Sequence, residues 1–392
     1  MDVVSVRPKA VSPMRFQHSR ILAATAGLSF STLVACSGGD PGATATAAYH
    51  PGGSPTTGPT HPTTSPTTPA PTTTSTTPPK PMTADETWAD GKIVAASVMI
   101  MAGATVTIAP GATVTIADGA TITVAGTLQG TSAAAHSKLT SATTWGGITV
   151  ASGGALALSG VDISNATTAL HVVTGAASAT VATATVTGAT TPFNIEGGKL
   201  ALTHVSFTGT KGSSSVGGEL DAKFMDYDAG SSEGISASNP AAILSIEDSK
   251  LHGAGTSSGD MISVSGAASL HIAYTEIHGA HCAFHFNSVV AFDVSYMTIH
   301  DNSYGFMLYG SGSTGTRTIS MSNIFSNVEW GADEGSASTV NGLITIENGY
   351  WALNGPPGAM VSNDIRKATN AITVTAMSSA QPVPGVGPRG AI

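Results

Sequence analysis

Cysteine, aromatic side chains and charge are all scarce in this chain of 392 residues. It contains two cysteines, 5% aromatic residues and 10% charged residues, whereas soluble domains usually have about 25% charged residues. Two cysteines cannot build the disulfide framework that stabilises many small secreted domains. Small residues are abundant instead, among them 46 glycines, and they suit tight turns and closely stacked strands.

The first 35 residues have the composition of a secretory signal peptide. Arg15 and Arg20 come before an apolar run of 15 residues, which is too short to span a membrane as a helix. The run ends in "LVAC", which resembles the bacterial lipobox, so Cys36 is the predicted site of lipid attachment. An ordinary signal peptide with a chance cysteine is the alternative, and Met14 is a candidate start beside Met1.

Two segments are predicted to be disordered. Residues 36–83 consist largely of Thr, Pro, Gly, Ser and Ala without apolar periodicity, so no core can offset the entropy lost on ordering. Proline extends such a chain toward the polyproline II conformation, which makes this segment a stalk. Residues 376–392 form a polar tail rich in Pro and Gly, for which the same prediction is made.

The charge balance is acidic. Removing the predicted signal peptide takes away four cationic side chains and one anionic one, which leaves 11 cationic and 23 anionic side chains and a net charge of −12. This balance argues against nucleic acids and anionic membrane surfaces as partners. It is compatible with bound divalent cations.

Two repeats predict an all-β fold, a single-stranded parallel β-helix. The sequence "GATVTIAPGATVTIADGATITV", which starts at Gly103, repeats every eight residues, and residues 84–146 are interpreted as the N-terminal cap and first rungs. In residues 147–375 a pair of apolar anchors five residues apart recurs every 20–27 residues, which is typical of a solenoid. The pairs are Leu158/Ile163, Val181/Val186, Leu202/Phe207, Ala222/Tyr227, Ile246/Leu251, Ile272/Ile277, Val294/Ile299, Ile319/Ile324 and Ile346/Trp351.

Motifs at the start of the repeat region resemble those of a known group. They are a Pro-Gly turn, a Gly-Thr-Leu step and a Trp-Gly-Gly-Ile step, at Pro110–Gly111, Gly126–Leu128 and Trp145–Ile148. Residues 87–165 thereby resemble the pectin-lyase-like right-handed parallel β-helix domains of bacterial surface proteins. The resemblance implies the fold, and it implies little about function, because this scaffold serves lyases, hydrolases, adhesins and non-catalytic binders.

Outward positions on four neighbouring rungs collect ionisable residues. Side chains alternate along a strand, so the residues on either side of an inward anchor face outward. We call the resulting set the histidine patch; its members are Asp226, Asp228, His252, Glu276, His278 and His300.

Three interpretations of the histidine patch are open. It is a solvated strand face on which such residues are tolerated, or it binds an anionic ligand or a divalent cation, zinc or calcium, since imidazoles on adjacent rungs lie about 5 Å apart. Calcium would require more oxygen ligands than this face offers. The third interpretation is acid–base catalysis, with Asp228, Glu276 and His278 as candidates.

Other residues weigh on these alternatives. The resemblance implies that a lyase would use a basic residue, usually arginine. Arg317 is the sole arginine between residues 88 and 360, and it falls at a rung position that is apolar in other turns. Cys282 is interpreted as a small buried hydrophobe, although His281 and His285 beside it suggest a metal. Two further sets are a column of stacked turn amides and a sugar-stacking platform, formed by Asn302, Asn327 and Asn354 and by Tyr304, Tyr309, Trp330, Tyr350 and Trp351.

These features favour an exported, lipid-anchored monomer at the cell surface or outer membrane. The leading hypothesis is non-catalytic display or binding of a polysaccharide, matrix component or cell-surface protein. One alternative is a carbohydrate-active enzyme, a polysaccharide lyase or glycoside hydrolase, that uses the face from Asp226 to His300. A structural spacer is the third.

Overall fold

The structure is a computed structural model, and the predicted signal peptide, Cys36 and the predicted linker up to residue 77 lie outside the residues it describes. Across the described residues there are 36 strands and no helix, so no described segment is a helix that could cross a membrane. The described residues are 78–131, 135–266, 269–287, 291–309, 316–334, 344–356, 363–366, 372–378 and 382–390.

The strands form a right-handed parallel β-helix, as predicted. Each turn of the chain contributes to three parallel faces, which we call faces B, C and A in chain order. Face A is a sheet of 13 strands, and faces B and C together form a sheet of 23 strands. Each strand pairs in parallel with the strands one turn before and after it, except at the two ends of the described β-helix, where a strand has one partner. The core is therefore a prism filled by the inward side chains of the three faces.

Face A consists of β1 (Lys80–Met82), β4 (Val98–Ile100), β7 (Thr121–Val124), β10 (Gly147–Val150), β13 (Thr168–Val172), β15 (Thr191–Ile195), β17 (Ser214–Val216), β20 (Ile235–Ala237), β23 (Ile262–Val264), β26 (Cys282–Asn287), β29 (Tyr304–Tyr309), β32 (Trp330–Asp333) and β35 (Ile365–Arg366). Face B consists of β2 (Glu86–Trp88), β5 (Thr105–Ile108), β8 (Thr127–Thr131), β11 (Ala155–Ser159), β18 (Glu219–Lys223), β21 (Ile243–Glu247), β24 (Ser269–Ala273), β27 (Ala291–Ser295), β30 (Arg317–Ser320), β33 (Ile344–Glu347) and β36 (Ile372–Thr375). Face C consists of β3 (Ile93–Val94), β6 (Thr113–Ile116), β9 (Ser137–Thr140), β12 (Val161–Ser164), β19 (Asp226–Gly230), β22 (Lys250–Gly253), β25 (Glu276–His278), β28 (Thr298–His300), β31 (Asn323–Phe325) and β34 (Tyr350–Ala352). Two long strands, β14 (Ser178–Thr187) and β16 (Lys199–Thr208), run through the corner from face B into face C.

The eight-residue repeat forms a single turn of the β-helix. Its three copies are β5, β6 and β7, one on each face, and each pairs with the strand of the same face in the turns before and after it. The β-branched Val and Ile of each copy point into the core, while the Thr side chains point outward. Three equal sides therefore close one turn, which explains why the period is a third of the later one.

The predicted register of the later turns is confirmed. Leu158 pairs with Val181 and Val181 with Leu202, and the first-anchor column continues in this way to Ile346 on face B. The second anchors pair equally on face C, from Ile163 to Trp351. The ladder of inward side chains thus fixes which outward residues become neighbours.

The corner between faces B and C is a single residue with positive φ in most turns. His204, Tyr274 and Tyr296 have φ of 53°, 51° and 54°, a region that residues other than glycine rarely occupy. One left-handed residue turns the chain without interrupting the hydrogen bonding between turns. The aligned Tyr274 and Tyr296 rings stack at 4.6 Å, so this column is part of the corner packing.

Both ends of the β-helix differ from the predicted boundaries. Strand β1 lies within the last residues of the predicted disordered linker, and it pairs with β4. The predicted disordered tail also contacts the β-helix: Asn323 bonds to the backbone of Val383, and Arg389 pairs with Asp248 at 2.8 Å. The amino-acid composition of the tail does not predict these contacts, because they depend on single side chains that meet the folded β-helix.

Candidate functional site

The histidine patch lies on the middle turns of face C. The rings of His252, His278 and His300 stack with centroids 5.5 and 5.2 Å apart and interplanar angles of 9° and 13°. Phe325 continues the stack, 5.2 Å from His300 and at 11° to it. We call these four rings the ring row. It follows from the register, since a parallel sheet places equivalent side chains of successive turns directly beside one another.

Carboxylates hold His300, the third ring of the row. Glu276 Oε1 lies 3.2 Å from His300 Nε2 and 4.0 Å from His278 Nε2. Asp301 Oδ2 lies 2.7 Å from His300 Nδ1. His300 is thus held between two carboxylates, while His278 has a single distant one.

His252, the first ring of the row, is held less tightly. Asp226 Oδ1 lies 3.4 Å from His252 Nε2, and it is buried without a hydrogen bond of good geometry. Asp228 Oδ1 lies 3.8 Å from His252 Nδ1 and accepts a bond from the backbone N–H of Gly230 at 2.8 Å. The Asp228 carboxylate is therefore engaged in its own turn and is a weaker catalytic candidate than Glu276.

The neighbouring histidines have opposite pKa shifts. The hydrogen bond to Glu276 raises the pKa of His300 against the opposing effect of burial. The same bond lowers the pKa of Glu276. Burial lowers the pKa of His278, which the Glu276 charge offsets incompletely. Around pH 7 a more basic imidazole therefore lies beside a more neutral one, with Glu276 ionised between them.

The His300–Glu276 pair predicts a pH-dependent contribution to stability. The raised pKa of His300 gives stability that is complete below the unfolded value of about 6.5 and is lost as the pH rises through the folded value. The lowered pKa of Glu276 gives stability that is present above its unfolded value of 4.5 and is lost as the pH falls. We therefore expect Glu276→Gln to lower the free energy of unfolding most between about pH 4.5 and 6.5. The loss should be about 0.5–1 kcal/mol, because solvent screens the pair.

Thermal unfolding from pH 4.5 to 8.5 measures this effect. The matched control is Glu86→Gln, since Glu86 pairs with Lys92, whose charge does not change in that range. Equal pH profiles for the two variants would show that the His300–Glu276 pair does not contribute as argued.

The histidine patch is a poor geometry for a single metal ion. The rings are parallel and more than 5 Å apart, so their nitrogens do not converge on a point. Among the described residues, the group whose ligand atoms all lie within 4.8 Å of one another is Asp260, Cys282 and His285, on face A. The predicted cation at the patch therefore has no geometric support. Asp260 gives no signal in the sequence, because it lies in a turn outside the anchor columns.

Two other predicted features have structural explanations. The side chains of Asn302, Asn327 and Asn354 form a buried ladder of hydrogen bonds at 3.1 and 2.9 Å, as expected for stacked turn amides. Arg317 is buried in the apolar column of face B, where it pairs with Phe292 across the sheet, and burial lowers its pKa. It is 6% exposed, which leaves it unsuited to serve as the base for an external substrate.

The predicted sugar-stacking platform is wrong as a single surface. Trp351 is a core residue with 1% of its surface exposed, and Tyr350 lies on face C. Tyr304, Tyr309 and Trp330 lie on face A. The error arises because aromatic residues near one another in sequence fall on different sides of each turn.

Comparison with known proteins leaves the function to be inferred from the residues of this chain. The sequence matches no known family and no curated protein. Among solved structures, the periplasmic alginate epimerase AlgG is similar, with a TM-score of 0.32 and 8% identity over 71% of this chain and 78% of that chain.

Proposed function

We propose that this chain is an exported, lipid-anchored β-helix that binds an extracellular glycan along face C without cleaving it. The observation that carries the proposal is the ring row with its flanking carboxylates. Together they make a polar and aromatic strip across adjacent turns, parallel to the axis of the β-helix. An elongated ligand lying on this strip would meet equivalent groups every 5 Å or so.

The chemistry of the strip suits a neutral polysaccharide. Each inner ring has its faces covered by its neighbours, so the rings present their edges, where the imidazole nitrogens donate and accept hydrogen bonds. Glu276 and Asp301 supply acceptors for sugar hydroxyls. These side chains are already held by stacking and ion pairs, so binding would cost little additional side-chain entropy. The acidic net charge disfavours a strongly anionic glycan.

Substitution of His278, the middle histidine of the ring row, tests the proposal. We expect His278→Ala in the full-length protein to weaken retention of a neutral polysaccharide by about tenfold, the effect of losing one well-packed contact. His171→Ala is the matched control, because His171 pairs with Glu196 on face A, away from the strip. Binding is measured by affinity electrophoresis in gels that contain each polysaccharide. Equal retention by both variants, or no retention by the wild type, would contradict glycan binding on face C and favour a structural spacer.

A second candidate function is cleavage of the same glycan, as a lyase or glycoside hydrolase. The observation that favours it is the opposite pKa shifts of two histidines that lie on either side of Glu276: the pKa of His278 is lowered and that of His300 is raised. Such a split is how acid and base roles are divided within one site. Release of new reducing ends or unsaturated products, lost in Glu276→Gln but not in Glu86→Gln, would establish this function in place of binding alone.

Attachment to a membrane is the other half of the proposal. It rests on the sequence around Cys36 and on the Thr- and Pro-rich stalk between Cys36 and the β-helix, which together would hold face C away from the membrane at the cell surface or outer membrane. The wild type is expected to incorporate labelled palmitate in cells and Cys36→Ser to incorporate none. Equal labelling of the two proteins would refute lipidation at this position.

A further inference from the structure

A compact group of metal-ligating side chains lies on face A, away from the histidine patch. Asp260 belongs to the turn before β23. In the next turn of the β-helix, His281 immediately precedes β26, and Cys282 and His285 lie within it. His281 Nδ1 is 3.0 Å from Asp260 Oδ1, and His285 Nδ1 is 2.5 Å from Asp260 Oδ2. Cys282 Sγ is 3.3 Å from His281 Nδ1. We call these four residues the face-A cluster.

The donor atoms of the face-A cluster converge, in contrast to those of the ring row. Both imidazoles direct Nδ1 toward one carboxylate, and the thiol lies beside the same point. The other histidine–carboxylate contacts among the described residues, such as His171 with Glu196, involve no thiol. Convergence of sulfur, nitrogen and oxygen donors is the usual arrangement of a transition-metal site.

Burial separates the cluster from an ordinary surface ion pair. Cys282 is fully buried and His285 is 6% exposed, while Asp260 retains 13% of its side-chain exposure. The rings of Tyr304 and Tyr309 pack edge-on against His281 and His285, at 5.5 and 5.7 Å. Such packing fixes the ring orientations, as neighbours of metal-binding histidines do.

We propose that the face-A cluster binds one zinc ion through Asp260, Cys282 and His285, with His281 as the fourth ligand. Tetrahedral zinc with bonds of about 2.0–2.3 Å places its ligand atoms about 3.3–3.6 Å apart. The ligand atoms of Asp260, Cys282 and His285 all lie within 4.8 Å of one another. His281 Nδ1 lies 3.0 Å from Asp260 Oδ1 and 3.3 Å from Cys282 Sγ, so His281 must turn toward His285 to complete the tetrahedron. Sulfur and imidazole donors select zinc over calcium, which prefers an all-oxygen shell.

Binding would exchange protons for the metal. The Cys282 thiol releases its proton to solvent. His281 and His285 give up the Nδ1 proton that they now direct at Asp260, and they ligate through Nδ1 as neutral imidazoles with one proton on Nε2. With Asp260 and the thiolate both ionised, the two negative charges balance the charge of Zn²⁺. The ion would join the turn that carries Asp260 to the next strand of face A, so it would act as a structural clamp between adjacent turns. This assignment does not depend on the function proposed for face C.

Metal titration of the full-length protein tests the assignment. After removal of metals with a chelator, the wild type is expected to bind one equivalent of zinc and to unfold at a higher temperature with zinc present. Loaded with cobalt(II) instead, it should show the thiolate-to-cobalt charge-transfer absorption that only a sulfur ligand produces. Cys282→Ser should abolish that absorption, and His285→Ala should weaken zinc binding by at least about 100-fold, since changes even to outer-shell partners cost 10- to 100-fold.

Two further variants keep the outcome decisive. His281→Gln alters the half-exposed ligand and is expected to fold, with zinc affinity reduced by about tenfold or more and an altered cobalt spectrum. His278→Ala on face C should retain full zinc binding. Absence of a bound equivalent in the wild type would overturn the proposal. So would zinc binding that survives Cys282→Ser and His281→Gln but is lost in His278→Ala, because that result places the metal on face C.

Discussion

Gly147→Ala is expected to destabilise the β-helix by more than about 4 kcal/mol, among the largest effects for a change of one methyl group. Gly147 has φ of +99°, and a Cβ atom built on it would lie 1.6 Å from the carbonyl oxygen of Thr168 in the next turn. That neighbour is backbone, so neither atom can move aside without breaking the pairing of β10 with β13. The midpoint of thermal unfolding should fall by roughly 10 °C.

Gly153→Ala is the matched control for this prediction. Gly153 also has positive φ, +76°, but a Cβ built there would meet no atom within 4 Å. Alanine in the left-handed region costs about 1–2 kcal/mol by itself, so Gly153→Ala isolates backbone strain from the steric contact. If the two variants unfolded at the same temperature, the close approach of adjacent turns at Gly147 would not be the cause.

The register of the strands could be predicted from the sequence because every turn must place apolar side chains at the same inward positions. Every turn needs inward anchors on faces B and C, and Leu158 or Ile163 can be recognised as such wherever the two-residue alternation is kept. Since the register sets which outward residues are neighbours, the stacking of His252, His278 and His300 also followed from the sequence. The ends were less predictable, because single contacts such as Arg389 with Asp248 have no periodic signal.

The face-A cluster could not be predicted from the repeat period alone. His281, Cys282 and His285 stand close together in "HGAHCAFHF", and that density was the available signal for a metal. Asp260 has no such signal, because it lies in a turn 21 residues before His281. Turn residues are not constrained by the alternation of a strand, so the direction of their side chains is set by the tertiary structure and not by a sequence period.

Asn327→Asp is expected to cost about 3–5 kcal/mol near neutral pH, the range for a buried charge left without a partner. Asn327 Nδ2 donates to Asn354 Oδ1 at 2.9 Å, and its own Oδ1 accepts from Asn302 Nδ2 at 3.1 Å. All three side chains are almost completely buried. A carboxylate at this position keeps the bond from Asn302 but sets an anionic oxygen against the carbonyl oxygen of Asn354. Chemical denaturation of the variant and the wild type measures the loss.

The pH dependence and a control separate this cause from general damage. Burial raises the pKa of a carboxyl group, so the introduced acid should be more stable when protonated, and the cost should shrink as the pH falls toward about 4. Asn287→Asp makes the same chemical change at an exposed position of face A and should cost less than about 0.5 kcal/mol. A loss at Asn327 that does not vary with pH would mean that shape, and not the buried charge, limits the substitution. The amide ladder is uncharged at every pH, which is why it can continue through the core of successive turns where a row of acids could not.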